Sequence, residues 1–223
     1  MFALGIEFLT GTAVMTSADS RETAEWPPHP ARVFMALVAA HYETRPLLED
    51  GAGALKSWSE ERLCLEWLEK QSAPSLQYAE VPVEQRRSVV KFYVPVNDTG
   101  LPTRPASVKP AEMRGALGVM PAFRSKQERT FPAVSLGLSS QRNEVHFIWQ
   151  ESTLPAELSA AFQRLAAKVI RIGHSSSLTK LWIAEPEPQL TVTLSPIAST
   201  KKVCGGVKLR CIAPGLLADL DQR

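Results

Sequence analysis

Apolar and polar residues alternate at the start of the chain. Phe2, Leu4, Ile6 and Phe8 fall on one face, the period-two pattern of a half-buried strand. A loop with Asp19, Ser20, Arg21 and Glu22 breaks the pattern, and Pro27, Pro28 and Pro30 lead into an apolar helix. Pro30 suits the first helical turn, where its missing N–H would have had no partner. Val33, Leu37 and Ala40 recur at helical spacing, Phe34 and Val38 widen the stripe, and Arg45-Pro46 ends it. Residues 57–70 predict a second helix, with Ser57 and Glu60 as a capping box and Leu63–Trp67 and Cys64–Leu68 as i,i+4 pairs. Residues 76–83 and 88–94 read as strands, the latter rich in β-branched and aromatic residues.

Residues 95–131 show no sustained period and carry Pro95, Pro102, Pro105, Pro110 and Pro121 with Gly100, Gly115 and Gly118. A loop of this length inside a compact domain is usually functional or mobile. Strands are predicted at 132–138 and 144–149, joined by a Ser139–Asn143 turn. The clearest helix is 155–171, where Leu158, Phe162, Leu165 and Val169 share a face and Gly173 marks the stop. Strands at 180–184, 189–194 and 201–212 complete the chain. The order is β-α-β-β-α-β, that of an α+β, ferredoxin-like domain, with helix 57–70 and the loop at 95–131 inserted into it.

Composition narrows the classes. The chain has 223 residues, 44% of them hydrophobic, too many for a disordered protein and enough to build a sizeable core. No apolar run would span a bilayer, Glu7 interrupts the apolar N-terminus, and three cysteines argue against a disulfide framework. A cytoplasmic protein with no membrane partner is expected. The net charge of +2 hides an asymmetry. Residues 43–80 hold eight acids and four bases, whereas residues 101–131 hold six bases against two acids and residues 160–210 eight against two. Such segregation suits a polyanionic partner. On the Pro-rich loop, Arg104, Lys109, Arg114, Arg124, Lys126 and Arg129 can neutralise phosphates without reading sequence, and Phe123 and Phe131 can stack on splayed bases.

Catalytic constellations are weaker. Of His29, His41, His146 and His174, only His174 sits in an open polar loop, beside Arg171 and Ser175, Ser176 and Ser177, which could hold a phosphate. The competing reading of that loop is a helix C-cap and an ordinary turn, since a helix C-terminus carries the wrong dipole for an anion. Cys204 and Cys211 lack the partners of a zinc site, and no nucleotide-binding, hydrolase or metalloprotease fingerprint occurs. No metal, cofactor or catalytic residue is assigned.

Several blocks resemble one family. Glu25-Trp26-Pro27-Pro28-His29-Pro30-Ala31-Arg32, continuing to Ala40, is similar to the N-terminal signature of Cas five–Cas six fusion subunits of type I-U (I-G) CRISPR effector complexes. Phe8-Leu9-Thr10-Gly11, Arg129-Thr130-Phe131-Pro132 and the Arg171–Leu178 stretch fit the same family. The resemblance implies an RRM-like, repeat-associated CRISPR protein fold, with residues 95–131 as a thumb-like insertion into a single Cas five-like domain over 1–223. A Cas six-like RNA-cleaving domain is expected to be absent from this stretch. It further implies an RNA-binding subunit of the Cascade type that holds the 5′ repeat-derived handle of the CRISPR RNA and caps the backbone in antiviral defence. Contacts with the first backbone subunit and the large subunit follow, and with target DNA only through the complex. Two other readings stay open: a metal-independent endoribonuclease that processes the precursor RNA, and a protein-only scaffold.

Overall fold

The computed structural model describes residues 1–81, 88–95, 126–137, 143–185, 192–197 and 206–222. In chain order its elements are β1 (Phe2–Phe8), β2 (Thr12–Ala13), α1 (Pro30–Glu43), a 3-10 turn (Leu48–Asp50), α2 (Gly51–Glu69), β3 (Ser75–Tyr78), β4 (Ser88–Pro95), β5 (Lys126–Ser135), β6 (Glu144–Trp149), α3 (Ala156–Lys168), β7 (Thr179–Ile183), β8 (Val192–Leu194) and α4 (Leu216–Asp221). The chain divides into two compact units, residues 1–88 with 132–223, and residues 89–131.

In the first unit β1 is flanked by β6 and β7, both antiparallel, in a sheet ordered β7-β1-β6-β3-β8. Counting only β1, β3, β6 and β7, this is the fourth-first-third-second order of an antiparallel ferredoxin-like sheet, with β8 added at the edge beside β3. α1 and the inserted α2 connect β1 to β3, and α3 connects β6 to β7. The fold is therefore α+β and ferredoxin-like. Strand alternation buries Phe2, Leu4, Ile6 and Phe8 of β1 with Val145, Phe147 and Trp149 of β6 against the helices. Val33, Phe34, Leu37, Val38 and Ala40 of α1 and Phe162 and Leu165 of α3 fill the other side of this core.

Some boundaries depart from the sequence reading. α2 starts at Gly51, with Asp50 before it, so Ser57 lies inside the helix rather than capping it. Leu63 is exposed while Cys64 and Leu68 are buried, because the face packed on α3 runs through Glu61, Cys64, Leu65 and Leu68. α3 ends at Lys168, and Gly173 belongs to the loop beyond it. The last six residues assigned to the long loop, 126–131, are the first part of β5. Residues 206–212, expected as strand, form no ladder; instead Arg210 O accepts a hydrogen bond from Ala31 N at 3.0 Å. Among the described residues no helix is long and apolar enough to cross a membrane.

A polar cluster is buried where α1, α2 and α3 meet. The His41 ring, fully buried, stacks on Trp58 at 4.3 Å, and its Nδ1 lies 3.7 Å from the Glu61 carboxylate. Glu61 in turn accepts from Lys168 Nζ at 2.7 Å. Burial holds His41 below its ordinary pKa despite the pull of Glu61, and Arg62 and Lys168 push the same way as burial. His29 is likewise held down, chiefly by burial. The unfolded chain protonates both as pH falls through about 6.5, and the folded chain resists. Stability is therefore full above that pH and is lost on acidification from pH 7 towards 5. His41→Phe, which keeps an aromatic ring on Trp58, is expected to flatten part of this loss. Urea midpoints at pH 7.5 and 5.5 check it; the same loss in variant and wild type would refute it.

Candidate functional site

Two segments far apart in the chain converge on the short strap Val14–Thr16 that follows β2. From one side comes the Pro-rich turn. Glu25 N donates to Met15 O at 2.8 Å, and Arg32 Nη2 donates to Thr16 O at 2.9 Å. From the other side comes the loop after α3. His174 N donates to Val14 O at 2.9 Å, and Ser177 Oγ accepts from Val14 N at 2.7 Å while donating to Val14 O at 3.3 Å. Gly173 sits at φ +85°, and a Cβ there would lie 2.7 Å from Val14 O and 2.5 Å from Met15 Cγ. Only glycine fits both the backbone angle and the gap.

The turn is organised by Glu25, which is 4% exposed. Its Oε1 accepts from Arg32 Nε at 2.7 Å and from His29 N at 3.0 Å, and its Oε2 accepts from Arg32 Nη2 at 2.8 Å. Burial alone would raise this carboxyl, but the Arg32 and His29 hydrogen bonds and charges outweigh it and hold it below its ordinary pKa. The fork geometry fixes the guanidinium at the first turns of α1.

Arg32 also lines a groove of about 230 Å³ along α1. Its walls are Met35, Ala36, Ala39 and Glu43 of the helix and the segment from Lys168 to Arg171, with Gly173. Ala36 and Ala39 present only methyl groups to it, and three cations, Arg32, Lys168 and Arg171, stand around it. Each has a carboxylate partner: Glu25, Glu61 and Glu43. They differ in availability. Glu25 and Glu61 are buried, whereas the Arg171–Glu43 pair is exposed on both sides and worth about 0–1 kcal/mol.

The structure brings Arg171, Ser175, Ser176 and Ser177 into one loop and separates their roles. Arg171 and Ser175 are exposed, and Ser176 is half-buried with its hydroxyl 2.9 Å from His174 Nδ1. Ser177 is fully buried with its hydroxyl engaged by Val14, so it serves the strap and is removed from the phosphate-contacting set. In the second unit, Lys126 is the first residue of β5, Arg129 is exposed, and the half-buried Phe131 ring packs on Phe92 with centroids 5.8 Å apart. Lys91 and Glu128 pair across β4 and β5 at 3.0 Å. Arg104, Lys109, Arg114, Phe123 and Arg124 lie outside the described residues, as does Cys204. Burial pushes the Cys64 thiol up to about 12, leaving it inert. Among the described residues no group of three or more His, Cys, Asp or Glu could hold a metal ion.

Sequence reasoning missed Arg32, Lys168 and Glu43. The signal for Arg32 was present, because it closes the Trp26–Arg32 block. The pairing of Lys168 with Glu61 spans 107 residues and needs the tertiary fold to be seen.

The model of the GSU0054 family of CRISPR-associated proteins matches residues 1–223. The chain belongs to this family. A comparison with curated proteins returned no match. Among solved structures, the chain is similar to one described as the crystal structure of a CRISPR protein from Archaeoglobus fulgidus, at 12% identity and a TM-score of 0.29. The match covers 82% of this chain and 59% of that one, so this chain spans about three fifths of that protein's length. Membership of the GSU0054 family gives the protein a role in CRISPR defence. The Trp26–Arg32 block that carried the resemblance is the same turn that Glu25 and Arg32 lock against the strap.

Proposed function

We propose that this GSU0054-family protein is a CRISPR RNA-binding subunit of an effector complex of the Cascade type, holding the repeat-derived 5′ handle. The observation that carries the reading is the placement of positive charge. Six cations crowd residues 104–129, and Arg171, whose ion pair with Glu43 is exposed on both sides, stands at the groove along α1. Cations on a polypeptide arm and at an open groove suit a phosphate backbone better than a small neutral ligand. In this reading Arg104, Lys109, Arg114, Arg124, Lys126, Arg129 and Arg171 meet phosphates, Ser175 and Ser176 add hydroxyl contacts, and Phe123 or Phe131 stacks. The backbone and large subunits are the protein partners, target DNA is met through the complex, and the specific kind is the Cas five–Cas six fusion of type I-U systems.

Labelled CRISPR repeat RNA, incubated with the full chain in chelator across a salt series, tests this. Affinity is expected to fall with salt. Changing the six arm cations to alanine is expected to reduce the slope of log K against log salt by about 4, at roughly 0.7 for each phosphate that is no longer neutralised. Arg171→Ala is expected to reduce it by about 0.7. Unchanged binding by the six-cation variant would refute the reading. Cleavage at a defined position, persisting in chelator, would replace it with an endoribonuclease.

A further inference from the structure

We infer that the groove along α1 is a docking site for a partner protein, which lays along it a helix with apolar residues on one face and Asp or Glu beside them. The inference rests on the reading of the chain as a subunit of an effector complex, and it adds a surface through which a protein neighbour is held.

The groove follows one ridge of α1. Arg32, Met35, Ala36, Ala39, Ala40 and Glu43 line it, at positions i, i+3, i+4, i+7, i+8 and i+11. That ridge runs for three turns, roughly 16 Å at about 1.5 Å per residue. The facing wall is the segment from Lys168 to Arg171. Two side chains that packing would ordinarily bury stand open on the two walls: Met35 is 39% exposed and Ile170 is 60% exposed. Ala36 and Ala39 carry no side chain long enough to cover them. An exposed apolar groove rimmed by charge marks a protein-binding surface, and Met and Arg are enriched at such surfaces. The volume of about 230 Å³ admits a few apolar side chains rather than a whole helix, so a partner helix lies along the groove and inserts side chains from one face.

The charges select the partner. Arg32 and Lys168 line the groove, whereas Glu25 and Glu61, which hold them, are buried. A partner therefore meets the cations and not the carboxylates that fix them. Arg32 commits its Nε and Nη2 to Glu25 and Thr16, and Lys168 gives one bond to Glu61. Arg32 Nη1 and the other N–H bonds of Lys168 are left as donors. Glu43 is the one exposed carboxylate among the described lining residues, and it is paired with Arg171. Acids on the partner complement this rim, and a basic partner would be repelled. RNA suits the floor less well. No described lining residue has an aromatic ring to stack a base, and phosphates would leave Met35 and Ile170 in water. Arg171 keeps the phosphate role given above.

The test replaces Ala39, an exposed groove residue, with the photocrosslinker p-benzoylphenylalanine in the full chain, co-expressed with the backbone and large subunits and CRISPR RNA. Irradiation is expected to join it to one of the two protein subunits, within a segment that carries Asp or Glu among apolar residues at helical spacing. Ala39→Trp fills the groove from the solvent side. It is expected to weaken association with that subunit about 5- to 150-fold, the usual cost of overfilling a packed site, while the RNA affinity and melting point of the isolated chain stay as in wild type. An adduct with RNA, with a second copy of this chain or with a basic segment would overturn the inference, as would no adduct from an assembled complex. So would full association by Ala39→Trp. If wild type joins neither subunit but binds repeat RNA, the docking inference falls and the RNA-binding reading stands. If it binds no RNA either, both fall.

Discussion

Glu25→Ala is expected to destabilise the protein by about 3 kcal/mol, at the low end of what breaking a buried ion pair costs. The low end applies because the Arg32 side chain is 31% exposed and can recover some water once its partner is gone. The change removes both halves of the guanidinium fork, the acceptor for His29 N, and the anchor that holds Arg32 against Thr16 O. At the usual sensitivity for a chain of this size, Tm falls by about 6–12 °C. The effect is pH-dependent in a fixed direction. Glu25 is held below its ordinary pKa in the folded state, so its contribution is complete above about pH 4.5 and fades as pH drops further. Wild type and variant should therefore converge in acid. Thermal melts at pH 7 and below pH 4 measure this. A pH 7 melting point within a degree of wild type would refute the anchoring role of Glu25.

Gly173→Ala is expected to destabilise by about 2–5 kcal/mol, combining the left-handed backbone penalty with steric overlap. The overlap is hard to relieve. Met15 Cγ can rotate away from the new methyl, but Val14 O, 2.7 Å from it, is main chain held by His174 N and Ser177 Oγ. The same variant should speed amide exchange at His174 and Val14, whose N–H groups close the strap. A denaturation midpoint equal to wild type, with exchange at both amides unchanged, would refute this account.

Where the sequence was legible, periodicity carried it. The alternation in β1 and the stripes on α1 and α3 each marked the buried face, and Pro30 marked where α1 begins. β-α-β-β-α-β order followed from those elements. The order of strands did not, because it depends on which apolar faces meet at long range. The start of α2 was obscured because Gly51 and Gly53 disfavour helix locally, while packing of Cys64, Leu65 and Leu68 against α3 favours it. In the site, Ser177 looked like a phosphate ligand because its burial against Val14 spans 163 residues.

The central place of β1 also governs how the chain can fold as it is made. Its partners are β6, ending at Trp149, and β7, ending at Ile183. At ribosomal speeds of about 5–20 residues per second, β7 emerges on the order of 10–35 seconds after β1. Through that interval Phe2, Leu4, Ile6 and Phe8 lack the full pair of flanking strands. Until β6 and then β7 are made, the nascent chain thus presents an apolar strand with open edges, a natural target for a chaperone that holds it until its partners arrive.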